Sequence, residues 1–315
     1  MSQNVAAWFK EIIRDKVRMR YQQQGAYLDG MFTTGDGGAG EIKYPVIGGT
    51  VLMYQLDGTI QEIDASKLNF DMLSVKVLDW EAAAYLPMPQ DERKMGPAAQ
   101  DGIAKLMALS VRKKRDGVRF DALNAFASAT STLSDNPKTV QTIGDGSARI
   151  TLEDAVQVTD RLRGSAVEDD IYWPMPYTWF SQLEFYEEFK RRDYQGDKEL
   201  PFARMSNVNK RTYRGVHFIA LPDEVFTYGT GKYGTGSNGD PFDEAGYLDT
   251  FAWAKDAVGA EIEWSQEDMD MTRLPQLKGS PTLCKVQLSG NAVGLLPEGV
   301  KRIRMKAINK AIDPA

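Results

Sequence analysis

Apolar and polar positions change their period several times along this chain, and each change marks an element. Residues 4–24 place Val5, Trp8, Phe9, Ile12, Ile13, Val17 and Met19 at largely helical spacing, with charges on the other face, which predicts an amphipathic helix. TTGDGGAG at 33–40 then breaks regular structure, because four glycines in eight residues make a flexible joint. From Glu41 to Leu86 the pattern is extended: IKYPVIGGTVLMYQLDGT and FDMLSVKVLDWEAAAYL are rich in Val, Ile, Leu and Tyr. The second run alternates in part, with Val75, Val77 and Trp80 separated by Ser74, Lys76 and Asp79. Together they predict a long two-stranded excursion with a polar connection around residues 57–69. A hairpin alone is marginal in water. This one needs a surface to lie on, in its own domain or on a neighbouring subunit.

Residues 97–129 predict one long helix, with Pro97 suited to its first position and no proline before Pro137. Ile103, Leu106, Met107 and Val111 form an apolar face that Val118, Ala122, Leu123 and Phe126 resume. The centre, RKKRDG at 112–117, is polar, and its glycine weakens the helix by about 1 kcal/mol relative to alanine. An exposed middle between packed ends is therefore expected. Residues 130–148 are turn-rich and read as a loop. Thr151 with Asp154 has the pattern of a capping box opening the helix LEDAVQVTDRL. A short buried strand at 171–175 precedes Pro176, which starts a helix through YTWFSQLEFYEEF. VHFIAL, TFAWAK, AEIEWS, CKVQLS and VKRIRMKAI complete a β-rich remainder. The glycine- and aromatic-rich loop at 227–247 is long enough to be functional or mobile.

Composition narrows the classes without choosing one. With 42% hydrophobic and 26% charged residues, 315 residues form one large domain or two ordinary ones. A net charge of −6 argues against a dedicated nucleic-acid binder. It leaves room for nonspecific DNA contact by the basic cluster Arg112, Lys113, Lys114 and Arg115. One cysteine, Cys284, cannot make an internal disulfide, and neither a signal peptide nor a membrane span is seen. These features imply a reducing cytoplasm.

Chemistry is thin. The one histidine, His217, sits within VHFIAL and reads as structural, with no G-x-S-x-G turn to accompany it. One His and one Cys cannot assemble the usual nitrogen and sulfur metal sites. GTGKYGTG at 229–236 fails as a phosphate loop, since Tyr233 follows Lys232 where Ser or Thr is required. GDGGAG at 35–40 leads into a strand, whereas a dinucleotide fingerprint follows one. Glu267, Asp268 and Asp270 read as a solvated acidic turn without the spacing of a calcium loop. No catalytic residue, cofactor or metal site is assigned.

The order of elements carries more information than any motif: helical arm, glycine joint, β excursion, long helix, α/β region, terminal strands. This order resembles the major capsid protein family of tailed phages, the Hong Kong 97-type fold also used by encapsulin shells. QQQGAYLDGMFTTGDGGAGE is similar to the family's segment leading to its extended loop, and RKKRDGVRFDALNAFASAT to its long spine helix. ARITLEDAVQVTDRLRGSAVEDDIYWPMPYTWFSQL resembles its helix–strand–Pro–helix unit. YRGVHFIALPD and FAWAKDAVGAEI are similar to two of its strand motifs. The likeness spans nearly the whole chain.

The resemblance implies an α+β fold with an N-terminal arm at 1–40, an extended loop at 41–86, a peripheral domain from 87–150 with 276–315, and an axial domain at 151–275. It implies a non-enzymatic protein that self-assembles as pentamers and hexamers into an icosahedral shell around phage DNA, located in the virion capsid and assembled in the bacterial host cytoplasm. Inter-subunit contacts would fall on Asp57, Gly58, Ile60, Lys67 and Leu68, with Gly35, Gly37, Gly38 and Gly40 as the joint fitting quasi-equivalent positions. Partners would include a separate scaffolding protein, a portal, a decoration protein and packaged double-stranded DNA. Lys67 lies where some relatives carry a cross-linking lysine, but no buried acid or partner Asn can be assigned. Two other readings stay open at this point: an encapsulin-like nanocompartment, and an α/β enzyme using acidic residues.

Overall fold

The computed structural model describes residues 24–38, 40–48, 68–86, 97–131, 133, 138–190, 210–226, 246–277, 280–308 and 310–312. The predicted arm helix at 4–24 and loop at 227–247 lie almost wholly outside them. The chain forms two compact units, one from 1–28, 77–118 and 262–290, the other from 29–76, 119–261 and 291–315.

The first unit packs a helix on a small sheet. Strands β4 (Leu78–Leu86), β10 (Val258–Arg273) and β11 (Thr282–Gly294) take the order β10-β11-β4. In the antiparallel β11–β4 pair, Leu288 faces Trp80 and Val286 faces Ala82. Cys284, Val286 and Leu288 therefore share one face of the pleat. Met107 and Val111, one helical turn apart on α1 (Pro97–Ser128), close over that face.

The polar centre of α1 is not exposed, contrary to the sequence expectation. Asp116 is buried and accepts hydrogen bonds from the backbone N–H groups of Tyr27 (2.9 Å) and Leu28 (3.4 Å). Gly25, at φ +74°, runs so close to the helix that a Cβ there would lie 2.6 Å from the Arg112 carbonyl carbon and the Lys113 nitrogen. A charged residue in a polar run thus serves an internal purpose. It caps a non-helical segment that sequence periodicity cannot place against it.

The second unit holds a six-stranded mixed sheet. Its strands are β5 (Gln141–Ile143), β6 (Ile171–Pro176), β7 (Lys210–Tyr213), β8 (Val216–Leu221), β9 (Tyr247–Ala254) and β12 (Val300–Lys306), in the order β5-β12-β9-β6-β8-β7. Every residue of β6 and β8 is buried, which explains why IYWPMP and VHFIAL read as unbroken apolar runs. Helices α2 (Leu152–Arg163) and α3 (Tyr177–Glu184) pack on this sheet. The predicted capping box is present: Thr151 Oγ1 accepts from the Asp154 N–H at 3.3 Å, and the Asp154 carboxylate accepts from the Thr151 N–H at 2.8 Å. Buried polar groups in the sheet are paired. Trp173 Nε1 donates to Thr250 Oγ1 at 3.0 Å, and the Arg304 guanidinium grips fully buried Asp249 with two bonds of 2.7 and 2.9 Å.

Four further sequence expectations need correction. The run 70–86 is not one strand of a hairpin; it breaks at Val77 into β3 (Asn69–Lys76), which pairs with β2 (Glu41–Gly48), and β4, which pairs with β11. Residues 36–38 of the glycine segment form the short strand β1 (Asp36–Gly38), antiparallel to β2. Within 130–148 lies β5, held parallel to β12. Glu267, Asp268 and Asp270 sit in β10 instead of a turn. In each case a partner strand supplies hydrogen bonds that local composition does not reveal, from as near as β2 beside β1 to as far as β12 beside β5. The β5 and β12 segments, assigned by sequence to a domain separate from 151–275, join β6, β8 and β9 in one sheet.

Candidate assembly surfaces

The β1-β2-β3 sheet separates two kinds of face. Cross-strand partners lie on the same side, so the register Pro45↔Met72 and Ile47↔Phe70 gathers four apolar side chains on one surface. Phe70 is 73% exposed, Ile47 68% and Met72 61%. Ile42 and Tyr44 point the other way and are buried. Tyr44 anchors the sheet: its ring lies where a Cβ on Gly35 or Gly259 would go, so both positions must stay bare. Burial, with the Glu261 carboxylate nearby, pushes the Tyr44 hydroxyl pKa well up, keeping it neutral.

Of the residues predicted for inter-subunit contact, Leu68 is exposed at the foot of β3, whereas Asp57, Gly58, Ile60 and Lys67 lie outside the described residues. Among the joint glycines, Gly35 packs against Ile42 and Tyr44, and Gly37 and Gly38 pair with Ile42 and Glu41. Gly40 has φ +80° with open space around it.

The basic cluster is only partly accessible. Arg112, Lys113, Lys114 and Arg115 are all half-buried. Lys114 Nζ lies 5.0 Å from the centre of the Trp80 ring, and Arg115 donates to Ser265 Oγ at 3.2 Å. These cations contribute to packing within their own unit.

His217 is buried between strands. Its Nδ1 is 2.8 Å from Thr212 Oγ1, its ring stacks on Tyr172 at 5.5 Å, and Nε2 is 3.8 Å from Asp170. Among the described residues, no three His, Cys, Asp or Glu side chains are arranged to hold a metal, and no helix is long and apolar enough to cross a membrane.

A larger feature went unpredicted. A cleft of about 910 Å³ opens in the second unit, bordered by Val46–Gly48 and Asn69 with Asp71 on one side and by Ser165–Asp169 with Leu296 and Glu298 on the other. Its parts come from six separated stretches of chain, so no local signal announces it.

The fold now has close counterparts among virus shells. It is similar to the capsid structure of the cyanophage P-SCSP1u, with TM-score 0.63, 14% identity, and coverage of 95% of this chain and 93% of that one. It is also similar to the capsid of Ralstonia phage GP4, with TM-score 0.62, 12% identity, and coverage of 98% and 99%. The mature capsid of bacteriophage PhiM1 matches at TM-score 0.60 and 11% identity, over 94% and 91%. At such identities the likeness defines a class of fold, that of tailed-phage capsid subunits. A comparison with curated protein sequences finds no match. The family model described as phage capsid protein matches residues 5–307, so the chain belongs to that family and is a major capsid protein, a structural component of the phage virion.

Proposed function

We propose that the chain is the repeating subunit of an icosahedral shell, assembling as pentamers and hexamers around double-stranded phage DNA in the host cytoplasm. The proposal includes a separate scaffolding protein and portal, binding of a decoration protein outside, nonspecific DNA contact inside, and no catalytic role. The observation that carries it is the apolar face made by Pro45, Ile47, Phe70 and Met72. Isolated apolar residues are ordinary on a surface, but a contiguous exposed strip marks an interaction site. Four such side chains expose on the order of 400 Å², about half of what one partner contributes to a stable interface. A contact of that size is weak singly and strong when repeated around a closed shell.

The test is the double variant Phe70→Ser with Met72→Ser, made in the full chain and viewed by negative-stain electron microscopy beside sedimentation velocity. The expected result is folded subunits that fail to close shells. Normal particles from this variant would remove the hairpin face from the assembly contacts.

A further inference from the structure

We propose that the cleft beside the Gly48–Asn69 end of the β2–β3 pair docks a cationic amphipathic peptide segment of another protein. The segment's apolar side would lie on the cleft floor, with its lysines or arginines on the rim.

The chemistry of the lining points to such an occupant. Leu133, Ala254, Ala257 and Leu296 supply an apolar floor. Beside it stand the carboxylates of Glu168, Asp169 and Glu298, against the single ammonium of Lys138 among the described lining residues. That ammonium already faces Glu298 at 3.6 Å. Arg163, a cation acting on Asp169, directs its N–H groups to the carbonyl oxygens of Val167, Asp169 and Gly215. Among the described residues, Glu168 and Asp169 therefore keep negative charge on the rim.

The Asp169 carboxyl is held above the ordinary range, first by desolvation and then by the nearby charges of Asp256 and Asp170. An arriving cation relieves that repulsion. The cleft's volume lies within the span of ligand-binding pockets, about 300–1,000 Å³, and suits a few side chains of a peptide better than a whole protein surface. Charge alone would attract any cation. Floor and rim together select a segment that is apolar on one side and basic on the other.

The experiment is fluorescence anisotropy with the labelled probe peptide LKKLLKLLKKLLKL and the purified full-length chain at low salt. Wild type should bind saturably, and the double variant Glu168→Gln with Asp169→Asn should bind at least tenfold more weakly. A lysine–serine peptide of equal charge should also bind at least tenfold more weakly, because it cannot use the floor. As a control, Glu153→Gln with Glu188→Gln removes two carboxylates from the separate groove beside α2, and should leave binding within twofold. Equal thermal midpoints for the variants and wild type would establish that folding is unchanged. The proposal is overturned by absence of saturable binding to wild type, by an equal loss in the control variant, or by equal affinity for the lysine–serine peptide.

Discussion

Two groups of strands in the second unit carry apolar side chains to opposite fates. In β6 and β8, side chains pointing to both faces of the sheet are buried. In β2 and β3, burial alternates: Ile42 and Tyr44 are enclosed, while Ile47, Phe70 and Met72 stand in solvent. The difference lies in what covers them. The central sheet has α2, α3 and neighbouring strands packed against it. The outward face of the hairpin has no such cover among the described residues. Apolar residues in a strand therefore announce that something must lie on them, without saying whether the cover belongs to the same chain. Here the chain keeps one sheet for its own stability and offers part of another to its surroundings.

That contrast can be broken at its strongest point first. Arg304→Ala strands the fully buried Asp249 carboxylate without its guanidinium, and should cost about 3–5 kcal/mol in chemical denaturation. A loss below about 0.5 kcal/mol, the usual range of surface changes, would mean that the central sheet does not carry the unit's stability.

A smaller effect should appear at the end of β8. Burial pushes the Asp223 carboxyl from its ordinary 3.8 up to about 6. A raised carboxyl pKa contributes stability that is present below pH 4 and lost as pH rises through 6. Asp223→Asn should flatten unfolding free energy across that window and stabilise the protein at pH 7. The gain should be about 1–2 kcal/mol, discounted for the partial exposure of the side chain. Denaturation midpoints measured from pH 4 to 7.5 check the sign, and an unchanged profile would sink the assignment.

Smallest of all should be the effect of Phe70→Ser on subunit stability, within about 0.5 kcal/mol, because the ring is 73% exposed. Thermal unfolding of the unassembled subunit measures it. A large destabilisation would show that Phe70 belongs to the core and would erase the contrast.

How far the sequence reading reached depended on the range of the interactions concerned. The Thr151–Asp154 box, the long helix from Pro97 and the buried strands read at 171–175 and 216–221 depend on neighbours a few residues away, and all were legible. The break at Val77 was not, because β3 and β4 are separated by their partners, β2 and β11, and not by a turn residue. Asp116 was read as solvated, since nothing near it in sequence foretells the N–H groups of Tyr27 and Leu28, 89 and 88 positions away. Likewise Arg112, Lys113, Lys114 and Arg115 formed a visible charge run, while their partial burial depended on Trp80 and Ser265.

By itself the sequence determined the main helices and the buried strands among the described residues, their order, and through that order the class of protein. These follow from periodicity, caps and turn residues, which act over one or two turns of chain. Only the tertiary structure decided which apolar face is left uncovered, which charges are internal, and where a cleft forms between segments more than 200 residues apart, such as Val46 and Leu296. Burial and electrostatic environment belong to surfaces brought together in space, and the pairing that brings them together is set by the whole chain at once.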